Sequence, residues 1–174
     1  MSQPKQSSKW LKLLKNIAAM VVMFMLISTA VDAWRGRNLD PQAVPLMTYT
    51  DLQGTTEDWL ERSYSEPVIV YFWATWCPVC TYVTPTVNWM AADYPVVTVA
   101  LRSGSDAKVA HYLEQQNYQL ITVNDQLGQV GQQWQITATP TVAIVHEGEI
   151  VSYTTGITTP TGLWWRRWWA SFSG

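Results

Sequence analysis

Cysteine is scarce in this chain, with two residues in 174, Cys77 and Cys80, three positions apart. No framework of structural disulfides is available to hold the fold, and a lone Cys-x-x-Cys pair points to chemistry. The spacing alone also fits half a metal site. Histidine is equally scarce, and His111 and His146 stand at no recognisable ligand spacing, so both read as solvated surface positions. Charged residues are only 14% of the chain, and residues 35–174 carry seven Lys or Arg against twelve Asp or Glu, with no basic stripe. An acidic body argues against nucleic acid and against lying flat on anionic lipid. No cysteine lies near residue 30, which excludes lipid attachment there.

Apolar residues are plentiful, at 48%, enough for one domain with a real core plus a small appendage. The appendage is the N-terminus. Lys5, Lys9, Lys12 and Lys15 precede an uncharged run from Asn16 to Val31, which Asp32, Arg35 and Arg37 close. Leu11, Leu13 and Leu14 lengthen the run because neighbouring lysines can snorkel, so residues 11–33 read as a membrane-spanning anchor of about 20 residues. The lysines in front place the N-terminus in the cytoplasm and the remainder outside, in the periplasm of a bacterial inner membrane. Ser28-Thr29-Ala30 offers a competing reading as a signal-peptidase site. The expected organisation is a stub and anchor over 1–34, a linker over 35–45 and one globular domain over 46–174.

Within that domain, Leu46–Thr50 reads as a first strand and a Gly54 turn leads to a short helix from Thr55 or Thr56, stopped by Pro67. Val68–Trp73 is six apolar residues without alternation, the pattern of a strand covered on both faces. Cys77–Tyr94 reads as a long helix bent by Pro85, and Val96–Leu101 as another buried strand. Ser105 and Asp106 start a helix to about Gln116, Leu120–Val123 reads as a strand and Gln126–Trp134 as a polar helix. Thr141–Val145 and Glu149–Tyr153 form a hairpin about Glu147-Gly148, and Thr159-Pro160 opens a final helix. That helix carries Trp164, Trp165, Trp168, Trp169 and Phe172 on one face with Arg166 and Arg167 opposite, a face expected to pack on the sheet, with part of it free to touch a membrane interface or a partner.

The chemistry follows from position. Orphan N–H groups and the macrodipole at a helix N-terminus favour a thiolate, so Cys77 is the candidate nucleophile and Cys80, one turn later, the candidate resolving thiol. Pro78 fixes the backbone without offering an N–H, and Val79 adds neither charge nor hydrogen bond, so the pair between the cysteines tunes the dithiol through geometry.

The element order, Trp76-Cys77-x-x-Cys80 after Phe72-Trp73-Ala74, Pro85, Thr139-Pro140-Thr141, Gly148 and Gly156 together resemble the thioredoxin fold, an α/β three-layer sandwich with a central mixed sheet and helices on both faces. The 59 residues between Cys80 and Pro140 leave room for one added αβ element, and with the anchor this is similar to the TlpA-like and ResA-like branch. Within it, Trp-Cys-Pro-Val-Cys most resembles the suppressor for copper sensitivity D proteins. The resemblance implies a cis Pro140 against the dithiol, a Thr139 backbone edge for an extended substrate, and Trp76, Pro78 and Val79 as positioning residues. It implies a thiol-disulfide oxidoreductase with no cofactor beyond its own disulfide and no metal, acting as a reductant on periplasmic protein thiols or disulfides, fed by a DsbD-like transmembrane protein, with a role in copper tolerance. A disulfide oxidase or isomerase is the alternative within the class, and a Cu(I)-binding chaperone the alternative outside it. Two positions depart from the branch. Tyr71 stands where thioredoxins carry a buried aspartate and Val83 where ResA-like reductases carry a glutamate, so slower deprotonation of Cys80 and a less raised Cys77 pKa are expected.

Overall fold

The computed structural model describes residue 10, residues 12–20, 22, 23, 27, 44 and 45, and residues 47–172. The chain divides into two compact units, Met1–Arg37 and Asn38–Gly174. In the first, residues 10, 12–20, 22, 23 and 27 are helical, with Leu13, Leu14, Ile17 and Met20 exposed. The expected transmembrane helix is not found: among the described residues no helix is long and apolar enough to cross a membrane. The rest of the expected anchor and most of the linker lie outside the described residues.

The second unit is organised around β3 (Val68–Trp73), in which all six residues are buried. It is the middle strand of a five-stranded mixed sheet ordered β5-β4-β3-β6-β7. β4 (Val96–Leu101) lies parallel to β3, and β5 (Thr122–Asp125) parallel to β4. β6 (Thr141–His146) runs antiparallel to β3, with Phe72 opposite Thr141, and β7 (Glu149–Thr155) closes the hairpin. Alternation along β3 sends Ile69, Tyr71 and Trp73 to one face and Val68, Val70 and Phe72 to the other. The first face is covered by α2 (Cys80–Met90), α3 (Asp106–Gln115) and α5 (Pro160–Ala170), through Val83, Val87, Met90, Val109 and Leu163. The second is covered by a small hairpin, β1 (Thr48–Thr50) with β2 (Thr56–Asp58), and by α1 (Trp59–Ser63) and the chain around α4 (Gln129–Gln133). There Trp59 and Trp134 fill the layer, and the Trp134 indole donates to the Tyr49 hydroxyl at 2.9 Å.

Several expectations are corrected. The first strand is three residues long and pairs with Thr56–Asp58, a segment expected to be helical, instead of joining the main sheet. Asp51 causes the turn between them, its carboxylate accepting from the Gln53 and Thr55 N–H groups at 2.9 and 2.8 Å. The helix then starts at Trp59 rather than at Thr55 or Thr56, because Asp58 caps it by accepting from the Leu60 and Glu61 N–H groups. The active-site helix begins at Cys80 rather than Cys77 and runs through Pro85 to Met90, with Pro78 and Val79 forming the turn that leads into it. β5 sits two residues later than expected, held to β4 by the buried Thr98–Thr122 hydroxyl pair. α4 is only Gln129–Gln133, because Asp125 accepts from the Gln129 and Gly131 N–H groups and fixes where the turn can begin.

The last helix is turned over relative to its expected packing. Leu163 and Ala170 are buried and Arg167, on the same stripe at i+4 and i−3, points inward with them. Its guanidinium lies 3.8 Å over the Tyr94 ring and 3.7 Å from the Glu66 carboxylate. The four indoles and Phe172 are exposed; the Trp165 ring lies 5.0 Å from Trp168 and 6.4 Å from Trp169, and Phe172 meets Trp168 edge-on at 4.8 Å. His146 also departs from a solvated position: it is half-buried, with Nδ1 3.2 Å from the Ser63 carbonyl. His111 is exposed.

Candidate active site

β3 carries the chain to the C-terminal edge of the sheet, where the strand order reverses and α/β sheets place their chemistry. The loop that follows is tied down before it reaches the cysteines. Thr75 donates its N–H to Ser103 Oγ at 3.0 Å, and Ser103 Oγ in turn donates to the Leu101 carbonyl, so the loop is pinned to the end of β4. The Trp76 indole N–H donates to the Arg102 carbonyl at 3.2 Å, and the Cys77 N–H to the Ala74 carbonyl at 3.1 Å.

Cys77 and Cys80 form a disulfide with their Cα atoms 5.3 Å apart. Both are buried, Cys77 at 5% exposure and Cys80 at 1%. The two sulfurs differ in their surroundings. The Cys80 N–H, first in α2, is shared between the Cys77 carbonyl and Cys77 Sγ, both at 3.2 Å, so a helix-terminus donor is partly aimed at that sulfur. Pro78 and Val79 are exposed next to it in the chain, and Trp76, which precedes it, is 62% exposed.

Tyr71 and Val83, at the two positions where the resemblance implies an acid, are neutral and buried. Val83 is fully buried, and so is Tyr71, whose hydroxyl lies 2.9 Å from Thr84 Oγ1. Thr84 Oγ1 donates to the Cys80 carbonyl at 2.7 Å, which uses its single hydrogen and makes Tyr71 the donor in the other contact. The chain Tyr71–Thr84–Cys80 is thus directional. Burial raises the Tyr71 pKa far above the ordinary tyrosine value, so this chain stays neutral.

The Thr139–Pro140 peptide is cis, as the sequence predicts. The loop is held from below by the Gly156 N–H on the Pro140 carbonyl at 2.8 Å and by Thr141 Oγ1 on the Ala138 carbonyl. Thr139 and Trp76 line one cleft of about 450 Å³, with Leu101, Arg102, Gln132 and Ile136 among its other walls. A smaller hollow of about 290 Å³ lies on the other side of Trp76, lined in part by Thr75, Lys108 and His111. Of the seven expected site residues, Trp76 and Thr139 line this cleft; Cys77, Pro78 and Val79 follow Trp76 in its loop, Cys80 opens α2, and Pro140 follows Thr139. Arg102, Ser103 and Thr84 complete the arrangement, and no spacing in the sequence marks them. Among the described residues, His, Cys, Asp and Glu side chains do not gather in threes in a way that could hold a metal.

The Redoxin family profile matches residues 40–161, well over half of the chain. The chain belongs to the Redoxin family. A thioredoxin-like protein of Haemophilus influenzae is 40% identical over 164 residues, covering 94% of this chain and 98% of that protein. A DsbE homologue of Paracoccus denitrificans, named as a thiol:disulfide interchange protein, is 32% identical over 77 residues, 44% of this chain and 43% of that one. The solved structure of a secreted Mycobacterium tuberculosis disulfide oxidoreductase superposes with a TM-score of 0.61 at 20% identity, covering 73% of this chain and 96% of that one, a likeness of fold. With a Cys-x-x-Cys disulfide at the edge of a thioredoxin-like sheet, this Redoxin member is a thiol-disulfide oxidoreductase.

Proposed function

We propose that the chain is a membrane-tethered reductant facing the periplasm, in which Cys77 attacks a substrate disulfide and Cys80 resolves the mixed disulfide. The assignment of roles rests on the bond from the Cys80 N–H to Cys77 Sγ, 3.2 Å long. A donor aimed at one sulfur favours negative charge there, which lowers that thiol's pKa and makes it the attacking and leaving group. Cys80, one turn later and more deeply buried, with no such donor to its sulfur among the described residues, is placed to attack Cys77 from within. Trp76, Pro78 and Val79 form the surface that a polypeptide meets, and the Thr139 backbone ahead of Pro140 offers it an extended edge. The dithiol itself holds the two electrons, so the cycle calls on no other cofactor.

The tether and its orientation are supported by four lysines ahead of an apolar run and two arginines after it. A reductant outside the cytoplasm needs electrons delivered across the membrane, which a DsbD-like transmembrane reductase would supply to Cys77–Cys80. A part in copper tolerance is supported by the Trp-Cys-Pro-Val-Cys stretch of residues 76–80. The neutral environment of Tyr71 and Val83 favours a second reading, donation or isomerisation of disulfides.

Cys80→Ser removes the resolving thiol and should trap substrates on Cys77 in cells; an empty trap overturns the reading. Equilibration with glutathione fixes the direction: a potential near about −270 mV supports the reductant, and one near about −120 mV supports the disulfide donor.

A further inference from the structure

We propose that the cleft beside the dithiol is a subsite for an acidic side chain of the substrate polypeptide, with Arg102 as its specificity-determining residue. This rests on the thiol-disulfide exchange reading and adds a substrate class to it.

Arg102 is placed there by its backbone. It follows β4 directly with φ of +46°, a left-handed conformation that a non-glycine residue adopts at a cost. Its N–H donates to the Asp125 carbonyl and its own carbonyl accepts from the Trp76 indole, so both sides of the peptide are fixed. The side chain lies over Gly128, at φ +77°, where an added Cβ would stand 2.6 Å from Arg102 Nε and 3.0 Å from Nη2. Only glycine leaves room for the guanidinium at that wall of the cleft.

The guanidinium is exposed and forms no ion pair within 4.0 Å among the described residues. The carboxylate nearest in the sheet, Asp125, is buried and accepts from the Gln129 and Gly131 N–H groups, both at 2.8 Å. Asp106, at the start of α3, accepts from Asn124 and Gln126. No carboxylate lines the cleft, and none lines the hollow across Trp76, where Lys108 stands. In a domain, residues 46–174, with eleven acids against five bases, the charged side chains on both flanks of Trp76 are cations alone. A carboxylate two or three residues from a substrate cysteine would reach Arg102 while its sulfur meets Cys77, since Trp76 and Thr139 border the same space.

The step it assists balances within the dithiol. The Cys77 thiolate bonds to the substrate sulfur as the substrate S–S bond breaks, releasing one thiolate. Cys80 then gives up its proton to solvent and its sulfur bonds to Cys77 Sγ as the Cys77–substrate S–S bond breaks; the second substrate thiolate leaves, so the enzyme is oxidised and the substrate reduced by two electrons.

The test uses reduced full-length protein in single turnovers against three peptides that differ only at the positions two and three residues from one cysteine, occupied by Glu, Gln or Lys. Each cysteine is linked to 5-thio-2-nitrobenzoate, whose release is followed by absorbance, and each rate is divided by that with dithiothreitol. The expected result is Glu faster than Lys by about fivefold, shrinking as salt is raised. The Glu-to-Lys ratio should fall to about one in Arg102→Gln and invert in Arg102→Glu. Equal normalised rates for Glu and Lys with the unaltered protein, or a ratio kept in Arg102→Gln, overturn the subsite alone. Failure to react with all three peptides overturns the exchange reading as well. The salt dependence on the unaltered protein decides the matter should an Arg102 variant fold poorly.

Discussion

Removing the Tyr71 hydroxyl separates structure from redox chemistry behind the dithiol. In Tyr71→Phe the ring still fills its buried site and one hydrogen bond is lost, the 2.9 Å donation to Thr84. Thr84 keeps its own donation to the Cys80 carbonyl, so no donor is stranded and the cost should be about 1 kcal/mol. For a domain of about 130 residues that lowers Tm by roughly 4 °C. Thr84→Val is the harsher change. It strands the Tyr71 O–H in the core and removes the bond to Cys80, and it should cost about 2–3 kcal/mol. The double variant should cost less than the two single changes added, because both remove the same contact. Thermal unfolding of the oxidised protein measures these values, and equilibration with glutathione measures the potential. Since the chain is neutral, Tyr71→Phe should move the potential by less than about 15 mV, half of the 30 mV that corresponds to 1.4 kcal/mol. Tyr71→Phe with unchanged Tm, or with a potential moved by more than about 30 mV, would refute a purely structural role for this hydroxyl.

Burial is the largest cause of the raised pKa at both Tyr71 and Tyr49. Unfolded tyrosines lose their protons near pH 10 while these two keep theirs, so their contribution is complete below about pH 10 and is lost as pH rises beyond it. Urea midpoints should stay level between pH 7 and 9, fall above pH 10, and fall less steeply in Tyr71→Phe. Asp58→Ala removes the cap from two N–H groups of α1 and should cost about 1 kcal/mol in denaturant titration. Gly128→Ala meets both an unfavourable φ and the Arg102 guanidinium; it should destabilise by about 1–2 kcal/mol and reduce the preference for the Glu peptide.

What could be read from the sequence was local and doubly constrained. Val68–Trp73 allowed no arrangement but a strand covered on both faces, and Thr159-Pro160 marked the start of the last helix to the residue. The cysteine motif and Thr139-Pro140 named the two loops of the site. The misreadings share a cause, competition settled by tertiary partners. Thr56–Asp58 has the composition of a helix start, yet Thr48–Thr50 needed a strand beside it and Asp58 was the stronger cap. The tryptophans of α5 outnumber its other apolar residues, so a periodicity argument turns them inward; the small stripe of Leu163, Arg167 and Ala170 fits against Tyr94 and the sheet, and four indoles do not. Arg102 was invisible because its importance comes from a positive φ and from an absent side chain at Gly128, neither of which leaves a pattern in one sequence.

The disulfide joins residues only three apart in a chain of 174. Closing so small a ring removes little freedom from the unfolded chain, about 2 kcal/mol in the loop-entropy picture, against the roughly 5–15 kcal/mol that holds a domain of this kind together. The layers on either side of β3 therefore carry the fold in both oxidation states. The protein can open and close its bond many times without risking its architecture, which separates this bridge from the staples of small secreted domains: it stores electrons and leaves the fold to the core.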